Sequence, residues 1–354
     1  MAGVEVDTEL ERLYEDFGRH GLLPLWTQRE DLMPVTPRPA AAAHRWRWRD
    51  LYPLAQRAGA LVPVGRGGER RAIALANPGL AGLPHATPTL WAAVQYLGAR
   101  ETAPAHRHSQ NAFRFVLEGE GVWTVVDGDP VAMRRGDLLL TPAWAFHGHH
   151  NTTDEPMAWL DGLDIPLVGY LDANFFEFGE ERLSGLSTPD RSRAERLWGH
   201  PGLVPVGVAG SAISSPLSAY RWEHTDAALA AQLELADEGH PGAAGPGHAA
   251  IRFANPVNGD DVLPTIRTEM HRLRPGAVRS ARREVSSSVW QVFDGSGAFV
   301  LDGVRSEVDR GDLVAVPSWG ETEIRANDRL DLFRFSDAPV IERLRLNQSA
   351  EIVR

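Results

Sequence analysis

The chain has 354 residues, 43% of them hydrophobic, so it can bury a sizeable core; 34 Gly and 25 Pro suit a turn-rich, β-dominated protein. It contains no cysteine, which excludes disulfides, thiolate metal sites and cysteine nucleophiles. A formal net charge of −11 argues against nucleic acid or an anionic membrane as partner, while local cations can still draw in a small anionic substrate.

The acidic amino terminus lacks the apolar stretch of a secretory signal, and no run approaches the roughly 18 apolar residues of a membrane span, so a cytoplasmic location is expected. Glu9 to Phe17 places apolar residues at helical spacing and predicts a helix ending near Gly18. Thr36 to Ala43 reads as an extended arm, and His44-Arg45-Trp46-Arg47-Trp48 leads back toward compact structure, with both tryptophans expected in packing. Residues 1–68 are therefore expected to form an N-terminal helix and arm, followed by a barrel over 69–179.

Within that barrel, short runs rich in Val, Leu, Phe and Trp alternate with Gly-Asp and Asp-Gly turns, the pattern of an antiparallel jelly roll. His106-Arg107-His108 is its chemical centre. Alternation along a strand sends His106 and His108 to one face and Arg107 to the other. A third imidazole, His147, stands on the strand that follows Gly136-Asp137, and the three can hold an open metal site of the kind that suits Fe(II) or Mn(II). If the strand runs on from His108, Arg114 faces the same pocket, while Phe113, Phe115 and Leu117 form an apolar outer face that needs cover. His149 shares the face of His147, and His150 beside it is expected at the rim.

Residues 180–247 read as a connection, with Glu223 to Leu235 helical and Gly239 to Gly247 a loop, and a second barrel follows over 248–354. That second barrel repeats the first. Gly136-Asp137 to Pro142-Ala143-Trp144 recurs as Gly311-Asp312 to Pro317-Ser318-Trp319, Asp127-Gly128 as Asp302-Gly303, and Asp164-Ile165-Pro166 as Asp337-Ala338-Pro339. The histidines do not recur: Thr322 stands for His147, and Ser280 to Glu284 stands for His106 to His108. One metal per chain, in the N-terminal barrel, is expected.

The stretches around the histidines resemble the two cupin motifs. The second fits in detail, with Trp144 where glycine is usual; the first lacks its glutamate and has Asn111-Ala112-Phe113 there, leaving an all-histidine site. The layout resembles the bicupin gentisate 1,2-dioxygenase family, which includes salicylate and 1-hydroxy-2-naphthoate dioxygenases. The resemblance rests on Glu69-Arg70-Arg71, Asn77 to Leu80, Trp91 to Gln95, Ala103 to His108, Arg114-Phe115, Thr141 to Trp144 and Trp159 to Pro166. The expected fold is thus all-β dominated, a bicupin of two jelly-roll barrels with an N-terminal helical arm and short connecting helices.

What the resemblance implies is an Fe(II)-dependent enzyme that opens gentisate with O2, between the carboxyl- and hydroxyl-bearing carbons, to give maleylpyruvate. The alternative is the same chemistry on salicylate, substituted salicylates or 1-hydroxy-2-naphthoate; a non-catalytic bicupin binding protein is the remaining reading. Fe(II) on His106, His108 and His147 lacks a protein carboxylate, and a chelating hydroxybenzoate supplies the anionic oxygens. Arg114 offers a fork for the carboxylate. Arg70, with Arg71 as its rival, matches a second substrate-binding position. Gln95 can hydrogen-bond substrate oxygens, while Trp91 and Ala93 shape the ring slot, the Ala93 methyl narrowing it toward gentisate. His149 is assigned to the distal ring substituent or a proton relay, and Asp161 to orienting a ligand histidine from behind. The implied assembly is a homotetramer.

Overall fold

The computed structural model describes residues 3–64, 71–179, 189–211, 213–240 and 243–352. The chain divides into two compact units, Met1–Arg38 and Pro39–Arg354. In the first, the expected helix runs over Gly3–Arg19, and a second helix, Leu25–Leu32, follows it. Trp26 meets Phe17 edge-on at 6.0 Å, and its Nε1 donates to the Tyr14 hydroxyl at 3.2 Å. No helix among the described residues is long and apolar enough to cross a membrane.

The second unit is a pair of antiparallel barrels, as the repeat predicts. In the first barrel, a six-stranded sheet runs in the order 219–220, 138–141, 112–118, 157–163, 91–97, 72–74. It faces a five-stranded sheet ordered 176–178, 102–108, 147–151, 120–126, 129–134. The second barrel pairs a six-stranded sheet of 44–46, 313–316, 288–294, 330–336, 267–273, 248–252 with a five-stranded one of 304–309, 296–301, 322–326, 278–284, 349–351.

The turn residues explain the hairpins. Asp127 and Gly128 both take positive φ (45° and 75°), as do Asp302 and Gly303 (47° and 82°), the pairing that two-residue hairpins demand. Trp144 and Trp319 also sit at positive φ, 68° and 62°, which is the physical reason glycine is usual there. Their backbone N–H groups bond the carbonyls of His108 and Glu284, at 2.8 and 2.7 Å. His108 and Glu284 are therefore equivalent positions of the two copies.

The repeat extends further than the sequence comparison reaches, and it is crossed. The strand His44–Trp46 pairs with Leu313–Val316 of the second barrel, whereas Ala219–Tyr220 pairs with Leu138–Thr141 of the first. Each leads into a helix, Trp48–Leu61 and Trp222–Asp237. The Trp48 N–H bonds the Asp312 carboxylate and the Trp222 N–H bonds that of Asp137, both at 2.9 Å. Each Gly-Asp turn thus receives a helix from the other half of the chain. Residues 44–61, expected in the N-terminal arm, close the second barrel. Glu223 to Leu235 is helical as expected.

The apolar outer face of Phe113, Phe115 and Leu117 finds its cover in the second barrel's six-stranded sheet. Phe115 stacks on Phe333 at 4.0 Å with the planes 5° apart, and Phe113 meets Phe335 edge-on at 4.9 Å. All four are fully buried in one core shared by both barrels. Phe333→Ala should cost about 3–5 kcal/mol through the cavity it leaves. A scan of circular dichroism against temperature is expected to show the apparent Tm falling by roughly 5–10 °C, whereas Leu203→Ala, at an exposed position, shifts it by less than about 1 °C.

Candidate metal centre

His106, His108 and His147 converge, with one ring nitrogen from each lying within 4.8 Å of the others. Among the described residues this is the one cluster of its kind. The strand Thr102–His108 pairs with His147–Asn151 so that His106 sits directly opposite His147. Each imidazole is fixed from behind by a backbone carbonyl. Nδ1 of His106 donates to Pro104 at 3.1 Å, that of His108 to Gln110 at 3.0 Å, and that of His147 to Ala145 at 2.9 Å. A carbonyl can only accept, so the proton sits on Nδ1 and the Nε2 lone pair is left for a ligand. His147 Nε2 is buried and has no hydrogen-bond partner, the state of a donor atom whose partner is a metal. Burial, then Arg114 and the neighbouring imidazoles, holds His147 well below the ordinary histidine value, so it stays neutral as a ligand must. The residues fit a divalent transition metal, and the all-nitrogen donor set suits Fe(II).

The cluster opens into a cavity of about 660 Å³ between the two sheets of the first barrel. Trp91, Gln95, Arg114, His149 and Asp161 line it with the three histidines. Arg114 reaches it by a different route from the one expected. The strand breaks at Ser109–Asn111 and crosses to the opposite sheet, so the assumed continuous strand does not exist. Arg114 therefore faces the histidines across the cavity rather than beside them. Its Nε lies 3.4 Å from Asp161 Oδ1, and its Nη1 donates to the Thr141 hydroxyl.

Asp161 sits directly opposite Arg114 in the strand register and accepts from Trp159 Nε1 at 3.1 Å. Backbone carbonyls, not a carboxylate, orient the histidines, so Asp161 orients the guanidinium instead. Burial pushes the Asp161 carboxyl up to about 6, against the opposing pull of Arg114 and the Trp159 hydrogen bond. His149 is buried against Trp159 with the ring centroids 5.2 Å apart, and its Nδ1 has no partner. Burial and the nearby Arg114 hold it neutral too.

Other expected residues lie elsewhere. Ala93 is fully buried in register with Asp161, between Trp91 and Gln95, and does not reach the cavity wall. Arg71 is turned away, paired with Glu101 and donating to the carbonyls of Tyr96 and Val62 at 3.2 and 2.8 Å. Arg70 lies outside the described residues. His150 accepts or donates at the Thr102 hydroxyl, 2.9 Å away, and does not line the cavity. Asn111, at the place of the missing glutamate, points away and bonds the Asp164 carboxylate with its backbone and side-chain nitrogens at 2.9 and 3.0 Å.

Sequence reasoning overlooked the segment Asn174-Phe175-Phe176. Phe176–Phe178 pairs with the histidine strand, and Phe176 stacks on His106 at 5.3 Å. Asn174 accepts from Gln110 Nε2 at 2.6 Å, and Gln110, Asn174, Phe175 and Phe176 line the cavity. The alternation of aromatic residues at 176 and 178 was the available signal.

Comparison with known proteins agrees with this geometry. The family model described as a cupin domain matches residues 93–163. A gentisate 1,2-dioxygenase from Streptomyces sp is 64% identical over 341 residues, covering 96% of this chain and 95% of its own. A 5-aminosalicylate 1,2-dioxygenase from Comamonas sp is 37% identical, covering 95% and 89%. The solved salicylate 1,2-dioxygenase of Pseudaminobacter salicylatoxidans has a TM-score of 0.93 at 57% identity and covers 97% of each chain. Its structure as adducts with gentisate gives a TM-score of 0.94 at the same identity, covering 98% of this chain and 94% of its own. With its duplicated barrels and its three-histidine centre in the first, the chain belongs to the bicupin family of gentisate and salicylate 1,2-dioxygenases.

Proposed function

We propose that this chain is an Fe(II)-dependent dioxygenase that opens the ring of small aromatic hydroxy acids with O2, taking salicylate-type acids as well as gentisate. The observation that carries this reading is the three-imidazole cluster opening on a cavity whose opposite wall presents Arg114. The gentisate-only expectation gives way to the wider alternative. Relatives of comparable coverage are named for gentisate, salicylate and 5-aminosalicylate. A cavity of about 660 Å³ lies well inside the range of small-molecule sites, roughly 300–1,000 Å³, and does not confine the substrate to a single substituted ring. Arg114 reads the carboxylate, which all these acids share. A cytoplasmic homotetramer belongs to the same reading.

Fe(II) held by His106, His108 and His147 would supply Lewis acidity and a redox-active centre through which the electron-rich substrate reduces O2. The chain's own residues do the rest. Arg114 presents its guanidinium to the substrate carboxylate, and the pairing with Asp161 keeps it from swinging onto the ligand histidines. Trp91, Phe175 and Phe176 wall the ring and exclude water. Gln95 donates to a substrate oxygen. His149, neutral and with a free Nδ1, takes or returns the proton of a ring hydroxyl.

Anaerobic reconstitution with Fe(II), followed by oxygen uptake on gentisate, salicylate and 1-hydroxy-2-naphthoate, tests the reaction. Uptake with gentisate and salicylate is expected; none above the metal-free control would make the protein a binding bicupin instead. His147→Ala should lower bound iron, measured by elemental analysis, at least tenfold, whereas His149→Ala should keep the iron and lose kcat by about 10²-fold, as for a general base. Asp161 is ionised only above pH about 6, so kcat/KM is expected to fall below that pH. Asp161→Asn lacks the charge at every pH. It should be depressed about tenfold at pH 7.5 and show no limb near pH 6, a loss worth ~1.4 kcal/mol of transition-state stabilisation.

A further inference from the structure

The second barrel has a cavity of about 460 Å³ where the first has its metal centre, and its chemistry has been inverted rather than erased. Pairing places Arg282 opposite Thr322 as His106 is opposite His147, and Glu284 stands where His108 does. The Arg114–Asp161 pair becomes Trp290 opposite Arg334. Arg334 donates through its two Nη atoms to Glu269 and Glu284, both at 2.6 Å, and its buried Nε has no partner. Arg279 is held more loosely. It is buried, and among the described residues its polar contacts are the Thr322 carbonyl at 3.5 Å and Glu284 at 3.7 Å. The Arg279 and Arg334 guanidiniums lie over the same Trp290 ring, 5.4 and 5.2 Å from its centroid.

Three guanidiniums, two of them buried and Arg282 half-exposed, thus face the two carboxylates of Glu269 and Glu284. Arg267 does not add to them, because Asp261 and Glu342 hold it, and Glu351 lies exposed at the rim, 4.0 Å from Arg282. Burial, together with the neighbouring Arg334, pulls Arg279 down to about 10, the sign of a cation short of counter-charge. Beside it, His271 Nδ1 bonds His248 Nε2 at 3.0 Å, while His271 Nε2 is buried with no partner and lines the cavity. With His248 as donor, that Nε2 carries a proton toward the cavity.

We propose that the second barrel is a binding site for a small organic carboxylate, held by Arg279, Arg282 and His271. A carboxylate there would supply the missing negative charge, add to the long contacts of Arg279 and Arg282, and accept from His271 Nε2, which has no partner. Two sources share this chemistry: an aromatic acid of the substrate type, and the ring-opened product, in which cleavage beside the hydroxyl-bearing carbon creates a second carboxylate. The site stands on the second barrel alone and does not depend on the reaction assigned to the first.

Calorimetric titration of the iron-loaded chain under argon tests it, with salicylate as the aromatic probe and maleate as the dicarboxylate probe. Arg282→Gln is the variant of choice, because its half-exposed side chain can be replaced without disturbing the core, and Arg279→Lys is the second. At least one probe should show a binding event that both variants weaken tenfold or more, with kcat at low substrate kept within about twofold of the wild type. Loss with salicylate alone assigns an aromatic acid, with maleate alone a dicarboxylate, and with both a site that reads only the carboxylate. Isotherms of wild type and Arg282→Gln that coincide for both probes, or no second-barrel binding at millimolar probe, would overturn the proposal. Failure of oxygen uptake with these isotherms intact would overturn only the dioxygenase reading.

Discussion

Two carboxylates, Asp137 and Asp312, tie the molecule together. Each accepts the first N–H of a helix that comes from the opposite half of the chain, Trp222 for Asp137 and Trp48 for Asp312. The preceding glycines are required by the same contact. Gly136 and Gly311 have φ of 86° and 92°, and a Cβ on either would lie under 3 Å from the indole of the incoming tryptophan, 2.8 and 2.2 Å respectively. Asp137 is further held by the buried Arg221, which also grips Glu195. Neither barrel is closed by its own sequence, so the two fold as one unit with a common aromatic core.

That mutual closure gives the site its rigidity. Arg114 and Phe115 are neighbours on one strand: one faces the cavity, the other stacks on Phe333 of the second barrel. The strand cannot shift without disturbing both. Opposite it, the histidine strand is pinned by backbone carbonyls behind each imidazole, so the donor atoms are pre-set before any ligand arrives. Neutral buried imidazoles stand on one wall and a buried Arg–Asp pair on the other, and the three-nitrogen cluster includes no protein carboxylate.

Much of this was legible in the chain. His106, His108 and His147 were readable because strand alternation and a repeated Gly-Asp turn fix their faces locally. The loss of the metal site from the second copy was readable from Thr322 in place of His147 and from Ser280 to Glu284 in place of the paired histidines. Arg114 was placed correctly, but from a strand that in fact breaks at Ser109–Asn111. Asp161 was recognised as a partner and given the wrong one, because only the sheet register sets it against Arg114. Ala93 sits on the expected face, yet a methyl that small, flanked by Trp91 and Gln95, does not reach the cavity. The crossed helices and the Phe175–Phe176 wall were missed, since each depends on a contact with a distant strand that no local pattern encodes.

The sequence by itself determined the strands, the turns, the duplicated barrel and the three ligands, because period-two alternation and positive-φ turn residues are local properties of the backbone. Only the tertiary structure decided which barrel each helix closes, which carboxylate holds Arg114, and what the second barrel built in place of a metal centre. Those are matters of register and burial between segments far apart in the chain. There, the excess of guanidiniums over carboxylates is visible only once every neighbour is in place.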